Sequence, residues 1–170
     1  MNWLTRKAIG LATVTQTLTS YEETTPAGPI THIDIDQTAT GGLKGTSEKR
    51  TLDWTARPHS DYLFGDLMAK SRWSSLATIL ADNVGTGKPA YIEDDARYLV
   101  EGWLPETAEG DVVENFVENE KAGWTGWQVW GFAEVESEGA KERWLVRRFV
   151  IRKGEKVERV RLVYAWAGEA

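Results

Sequence analysis

The side chains most able to act on a guest molecule are polar groups that share a strand face with apolar neighbours. A buried amide or hydroxyl left unpartnered costs roughly a few kcal/mol, so a ligand, water or another protein group must satisfy it. Gln16 and Gln37 alternate with Val14, Leu18, Ile33 and Ile35, and Gln128 sits in a tryptophan-rich run, TGWQVWGF. Tyr164 lies two residues after Leu162 and two before Trp166, so its hydroxyl reaches the same side of its strand. Hydrogen bonding inside a packed core and hydrogen bonding to a ligand both fit this pattern.

Other constellations carry less. His32, Asp34 and Asp36 fall on one strand face, because side-chain direction repeats every two residues. An iron triad would need a second histidine, for which His59 is the one other in the chain. A polar, outward strand face explains the alternation equally well, and no metal is assigned. Gly85-Thr86-Gly87-Lys88 fails as a phosphate loop, since position 82 is Asp and Pro89 replaces the magnesium-holding Ser or Thr. Glu114 and Glu118 lack neighbours that would raise one carboxyl pKa and are expected to face solvent. No GxSxG elbow supports nucleophilic hydrolysis.

Strands must position these groups. LATVTQTLTSY, from Leu11 to Tyr21, sets a threonine ladder against Ala12, Val14, Gln16 and Leu18. Turn residues from Thr25 to Pro29 join it to a second alternating run from Ile30 to Thr38, which predicts a hairpin. KRTLDWTA and, after punctuation at Pro58, DYLFGDLMAKSRW from Asp61 to Trp73 continue the strands. Ile92, Ala96, Leu99, Val100 and Trp103 recur at helical spacing, with Gly102 near a C-cap. Four strands then follow, of which the last pair, joined at Lys153-Gly154-Glu155-Lys156, is the clearest hairpin. Short, regularly spaced strands almost without crossover helices point to an antiparallel barrel or sandwich. Trp54, Trp130 and Trp166, each read within an alternating strand, would either line a barrel interior or fill a solid core.

Composition narrows the function classes. A 19.1 kDa chain of ordinary apolar and charged content suits one domain, expected to span 1–170. Net charge −6 and pI near 5.1 argue against a phosphate-binding surface and hence against nucleic acid as partner. The charge is uneven: Lys141 to Arg161 is basic and Glu93 to Glu120 acidic, which predicts two faces that neutralise each other within the fold. With no cysteine, no signal-peptide core in Met1 to Gly10 and no long apolar run, a cytoplasmic protein without a membrane span is expected.

The strings TRKAIGLATVT, HIDIDQTATGGLKGT, KRTLDWT, LFGDLMAKSR, EGWLPE, WTGWQVWGF and RVRLVYAW closely resemble a family of fungal lipocalin-like proteins. That family is related in fold to fatty-acid-binding proteins and includes pericyclases of polyketide-derived natural-product pathways. The likeness runs roughly from Trp3 to Gly168. It implies an all-β fold, an antiparallel calycin-type β-barrel with one or two short helices around a hydrophobic cavity, and for some relatives intramolecular cycloaddition without metal or organic cofactor. Relatives carry an extra segment before the position of Trp3 that supplies a first strand. Its absence here is expected to leave an open edge available to a second copy, a possible homodimer. The apolar SSLATILA replaces a more charged stretch and is expected to contribute to a cavity lid.

The resulting expectation is a cofactor-independent cyclase of the Diels-Alder type, acting on a hydrophobic polyketide-derived intermediate of fungal secondary metabolism. Gln16, Gln37, Gln128 and Tyr164 would hydrogen-bond an activated carbonyl, while Trp54, Phe64, Trp130, Leu162 and Trp166 would bind the substrate. The alternative is a non-catalytic carrier of a fatty acid or similar lipophile, held by Arg147 or Arg148. Only one of those two can point inward. A protein-interaction module using the tryptophans and an open edge is a third class.

Overall fold

The computed structural model describes residues 13–40, 45–61 and 64–169. Among these, the strands are β1 (Val14–Thr25), β2 (Gly28–Ala39), β3 (Ser47–Thr51), β4 (Arg57–Asp61), β5 (Gly65–Ser74), β6 (Val112–Asn119), β7 (Trp124–Ser137), β8 (Ala140–Lys153) and β9 (Lys156–Tyr164). Three short helices stand between β5 and β6: α1 (Leu76–Asn83), α2 (Ala90–Leu99) and α3 (Pro105–Ala108). The fold is mostly β and antiparallel throughout, with one more short helix than the sequence suggests. A three-stranded sheet, β1-β2-β3, lies against a six-stranded meander, β4 to β9. No continuous ladder joins the two sheets among the described residues. Across one seam Asp53 bridges Arg72, and Trp54 N–H donates to the Ser71 carbonyl at 2.8 Å. The expectations for a segment before Trp3 lie outside the described residues.

Period-two alternation sorts the side chains of the small sheet. A tight turn at Pro26-Ala27, followed by Gly28 at φ +122°, fixes the register that pairs Gln16 with Gln37 and Leu18 with Ile35. The outward face carries the threonines, with His32 stacked on Tyr21 at 5.0 Å and hydrogen-bonded to Glu23 and Thr51. Asp34 faces Lys49 at 4.0 Å on that same face. The inward face packs Ile33 and Ile35, with Leu52, onto Val113 and Trp130 of the large sheet.

The large sheet is buried on both sides. Its other face carries Val112, Trp127, Val129 and Val150 under Leu76, Ile79, Ala96 and Leu99 of α1 and α2. Ser75 caps α1 by accepting a hydrogen bond from Thr78 N–H. SSLATILA is therefore not a lid: its apolar side is spent on the face away from the small sheet. Close approach of α3 to β7 requires Gly131, where a Cβ would stand 2.3 Å from the Thr107 methyl. Thr107 Oγ1 there accepts a hydrogen bond from Phe132 N–H at 2.8 Å.

Three local readings change. Pro58, read as punctuation, lies inside β4, which tolerates it because β4 is an edge strand with no ladder on one side. Trp54 is not in a strand: β3 ends at Thr51, and Asp53 Oδ1 accepts from Thr55 N–H, turning the chain through Trp54 at φ +59°. Trp166 lies beyond the end of β9.

The acidic and basic stretches meet. Asp95 of α2, 3% exposed, receives Arg152 of β8 through two nitrogens and Arg159 of β9 at 3.5 Å. Arg143 pairs with Glu106, and Arg148 donates to the Glu101 carbonyl. Removing one member of a buried pair strands the other, at about 3–5 kcal/mol. Asp95→Ala should therefore lower unfolding free energy by about 3 kcal/mol or more in urea titration. Glu93→Ala, which loses the exposed pair with Arg97 and an exposed hydrogen bond from Gly85 N–H, should cost under about 1 kcal/mol; equal losses would refute this assignment.

Candidate functional site

Between the two sheets lies a cavity of about 600 Å³. Its floor is the inward face of the large sheet, where Leu67 and Ala69 of β5, Val117 of β6 and Phe149 and Ile151 of β8 give an apolar surface. That surface is flat enough for Phe149 because β7 contributes Gly126, where a Cβ would fall 2.7 Å from the ring. The roof comes from the small sheet and is polar: Gln16 of β1, Gln37 of β2, and Glu48 and Arg50 of β3.

One rung of the ladder builds the back wall. Ser71, Asn115 and Gln128 occupy directly paired positions on β5, β6 and β7. Asn115 Nδ2 donates to Ser71 Oγ at 3.0 Å and to the Lys70 carbonyl at 2.9 Å, while its Oδ1 accepts from Gln128 Nε2 at 2.7 Å. Gln128 Oε1 in turn accepts from Trp130 Nε1 at 2.8 Å. All four side chains are buried, so the network fixes both the amide of Gln128 and the plane of the indole.

Two guanidiniums pack on that indole. Arg147 Cζ stands 3.9 Å from the Trp130 ring centroid and Arg50 Cζ 5.0 Å. Arg50 is paired with Glu48 at 2.5 Å, and Glu48 also accepts from Gln37 Nε2 at 3.3 Å. Arg147 has no carboxylate partner among the described residues. It donates from Nη2 to Gln16 Oε1 at 3.0 Å, and its Cζ lies 5.2 Å from the Tyr164 ring. Burial lowers the pKa of both arginines, opposed at Arg50 by Glu48 and at Arg147 by Tyr164 and Glu48, yet a guanidinium remains protonated in any case. At the rim, Arg57 hydrogen-bonds Asp53 and holds its carboxyl far below the usual range.

Gln16, Gln37, Gln128 and Tyr164 thus all stand on the wall of one cavity, as do Phe64 and Leu162. Trp130 lies behind the arginines and forms part of a second pocket of about 410 Å³ with Trp73 and Phe132. The Trp54 ring is off the cavity wall, beneath Lys70 at 4.4 Å and Arg72 at 4.5 Å. Trp166, 79% exposed, is also off it. Strand alternation turns Arg147 inward, whereas Arg148 stacks on Tyr98 at 4.2 Å on the helix side. Glu114, expected at the surface, is buried and bound by Arg72 at 2.7 Å and Trp127 Nε1 at 2.9 Å. Sequence reasoning missed Glu48, Arg50, Ser71 and Asn115; the alternation Glu48-Arg50-Leu52 signals the first two, while the others depend on register.

Chemically, the arrangement offers several hydrogen-bond donors above an apolar floor. Gln16 Nε2 and the Tyr164 hydroxyl have no hydrogen-bond partner among the described residues, so both are open to a guest. The sequence is 28% identical over 166 residues to a protein of Mollisia scopiformis named "Probable pericyclase scpY", covering 98% of this chain and 77% of the relative. It is also 28% identical over 168 residues to "Pericyclase pydY" of an Acremonium species, covering 99% of this chain and 80% of that protein. No family model matches the chain. No solved structure matches it.

Replacing Asn115 by Leu keeps its branched shape but strands the Gln128 amide and the Ser71 hydroxyl. Each buried orphan costs about 1–3 kcal/mol, so the variant should lose about 2–4 kcal/mol in denaturant titration. A loss below about 0.5 kcal/mol would show that the rung is not the support of the back wall.

Proposed function

We propose that this chain is a pericyclase: a cofactor-independent cyclase that folds a linear, hydrophobic, polyketide-derived intermediate and closes it by Diels-Alder-type intramolecular cycloaddition. The observation that carries the reading is the two-sided cavity, apolar below and rich in hydrogen-bond donors above, in a chain whose similarity to two proteins named pericyclase extends along nearly its whole length. The two antiparallel sheets with helices on the outer face also suit a single calycin-type barrel domain.

The mechanism needs no proton transfer and no covalent intermediate. A flexible polyene laid on Leu67, Val117, Phe149 and Ile151 loses its extended conformers, and the diene and dienophile are held in near-attack geometry. Gln16 Nε2 and the Tyr164 hydroxyl donate to the carbonyl that activates the dienophile. In an asynchronous transition state negative charge grows on that oxygen, and each preorganised donor contributes about 3 kcal/mol where water is excluded. Gln37 is tied to Glu48 and Gln128 to Asn115 and Trp130, so these two position the wall, each with one amide hydrogen to spare.

The test is conversion of a linear polyene carrying an activated alkene, followed by chromatography with diastereomer analysis. The protein should accelerate cyclisation and fix one diastereomer. Tyr164→Phe should slow it about a hundredfold with little change in melting temperature, whereas Gln16→Ala should slow it about as much and also lower the melting temperature, because buried Arg147 loses the amide oxygen that its Nη2 holds. A rate and product ratio equal to buffer would overturn the proposal, and tight binding with return of unchanged precursor would identify a carrier instead.

A further inference from the structure

Two glycines interrupt β7, and they serve opposite faces of the sheet. Gly131 makes room for Thr107 of α3, whereas Gly126 shares the inward face with Gln128 and Trp130. The backbone at Gly126 is ordinary strand without a positive φ, laddered to Val117 on β6 and to Ile151 on β8, so its conformation does not call for glycine. A glycine inside a strand weakens it and often marks a place that something else must approach closely.

What the missing side chain leaves is a slot in the cavity floor. A Cβ at position 126 would stand 2.7 and 2.8 Å from Cζ and Cε2 of Phe149 and 2.9 Å from Cγ2 of Val117, closer than carbon atoms pack. The two flanks differ in what they can give. Val117 is β-branched, buried and stiff about χ1. Phe149 is half-buried and lines the cavity, and it is the far edge of its ring that rests over Gly126. A side chain at position 126 therefore lifts that ring toward the roof of Gln16 and Gln37.

Resting on the reading of this cavity as the substrate chamber, we propose that Gly126 is its specificity-determining residue: by letting Phe149 lie down in the floor, it gives the chamber the depth that a chain folded on itself requires. An extended chain is one chain thick, whereas a diene stacked on its dienophile, with reacting carbons about 3–3.5 Å apart, is two. Raising the floor penalises the folded guest and spares the extended one.

Two neutral alcohols of equal carbon count isolate thickness: dodecanol, thin and flexible, and adamantyl ethanol, a compact cage. Titrated into the full chain and followed by tryptophan fluorescence, both should bind the wild type. Gly126→Ala should weaken adamantyl ethanol about tenfold or more and hold dodecanol within about threefold, since the overpacking falls on the thick guest. Adding Phe149→Leu to Gly126→Ala removes the ring that the methyl displaces, and should return adamantyl ethanol to within about threefold of the wild type. Should Gly126→Ala not fold, Phe149→Leu alone decides, by raising the affinity for adamantyl ethanol relative to dodecanol about threefold or more. Rejection of adamantyl ethanol by the wild type, equal weakening of both probes or of neither by Gly126→Ala, a loss that Phe149→Leu does not repair, or an unchanged ratio in Phe149→Leu alone would overturn the inference while leaving the cycloaddition reading intact. Failure of both probes to bind the wild type would remove the chamber, and both readings with it.

Discussion

Trp130 is pinned at its edge and covered on its face, and the organisation of the interior follows from that. Its N–H is committed to Gln128, which is committed to Asn115 and Ser71, so a chain of hydrogen bonds across three strands sets the angle of the indole. The ring then offers a platform for Arg147 and Arg50, and its apolar remainder receives Ile33, Ile35 and Leu52 of the small sheet. One side chain thereby docks the two sheets and divides the space between them. On one side of this partition is the polar end of the larger cavity, and on the other the smaller pocket by Trp73 and Phe132.

The six-stranded sheet separates two kinds of electrostatic work by parity. Along β8, Arg148 and Arg152 point to the helices, where Tyr98, the Glu101 carbonyl and Asp95 await them. Arg147, one position over, enters the cavity and forms no salt bridge among the described residues, with Glu48 the carboxylate that acts on it from a distance. The same chain thus neutralises basic residues on one face with the Asp95 carboxylate of α2, while on the other Arg147 holds an amide oxygen rather than a carboxylate among the described residues. The sheet itself stands between the two populations of charge, with helices over one face and the small sheet over the other.

Much of this was legible in the residues. The threonine ladder and Thr25-Pro26-Ala27-Gly28 specify the first hairpin, and the Gly154 turn specifies the last, since turn chemistry and period-two alternation act locally. The apolar-flanked glutamines and Tyr164 are recognisable because alternation alone puts them on an inward face. What sequence does not expose is which strand meets which, and at what offset. Asn115 and Ser71 look like ordinary strand polar residues until the register of β5, β6 and β7 sets them side by side. Glu114 resembles its solvated neighbour Glu118 until Arg72 arrives from β5. Trp54 and Trp166 mislead for a related reason: each continues an alternating pattern past the residue where the strand ends, at the Asp53 turn and after Tyr164.

The two seams between the sheets are unequal. On the β3–β4 side, backbone reaches backbone at Asp53, Trp54, Ser71 and Arg72. On the opposite side β1 and β9 share no ladder, and the contact from Arg147 to Gln16 crosses there through side chains. A structure hinged along one border and buttoned along the other can part at the button without melting any strand. Opening along that border would break the Arg147–Gln16 hydrogen bond rather than a backbone ladder, and both of those residues also stand on the cavity wall.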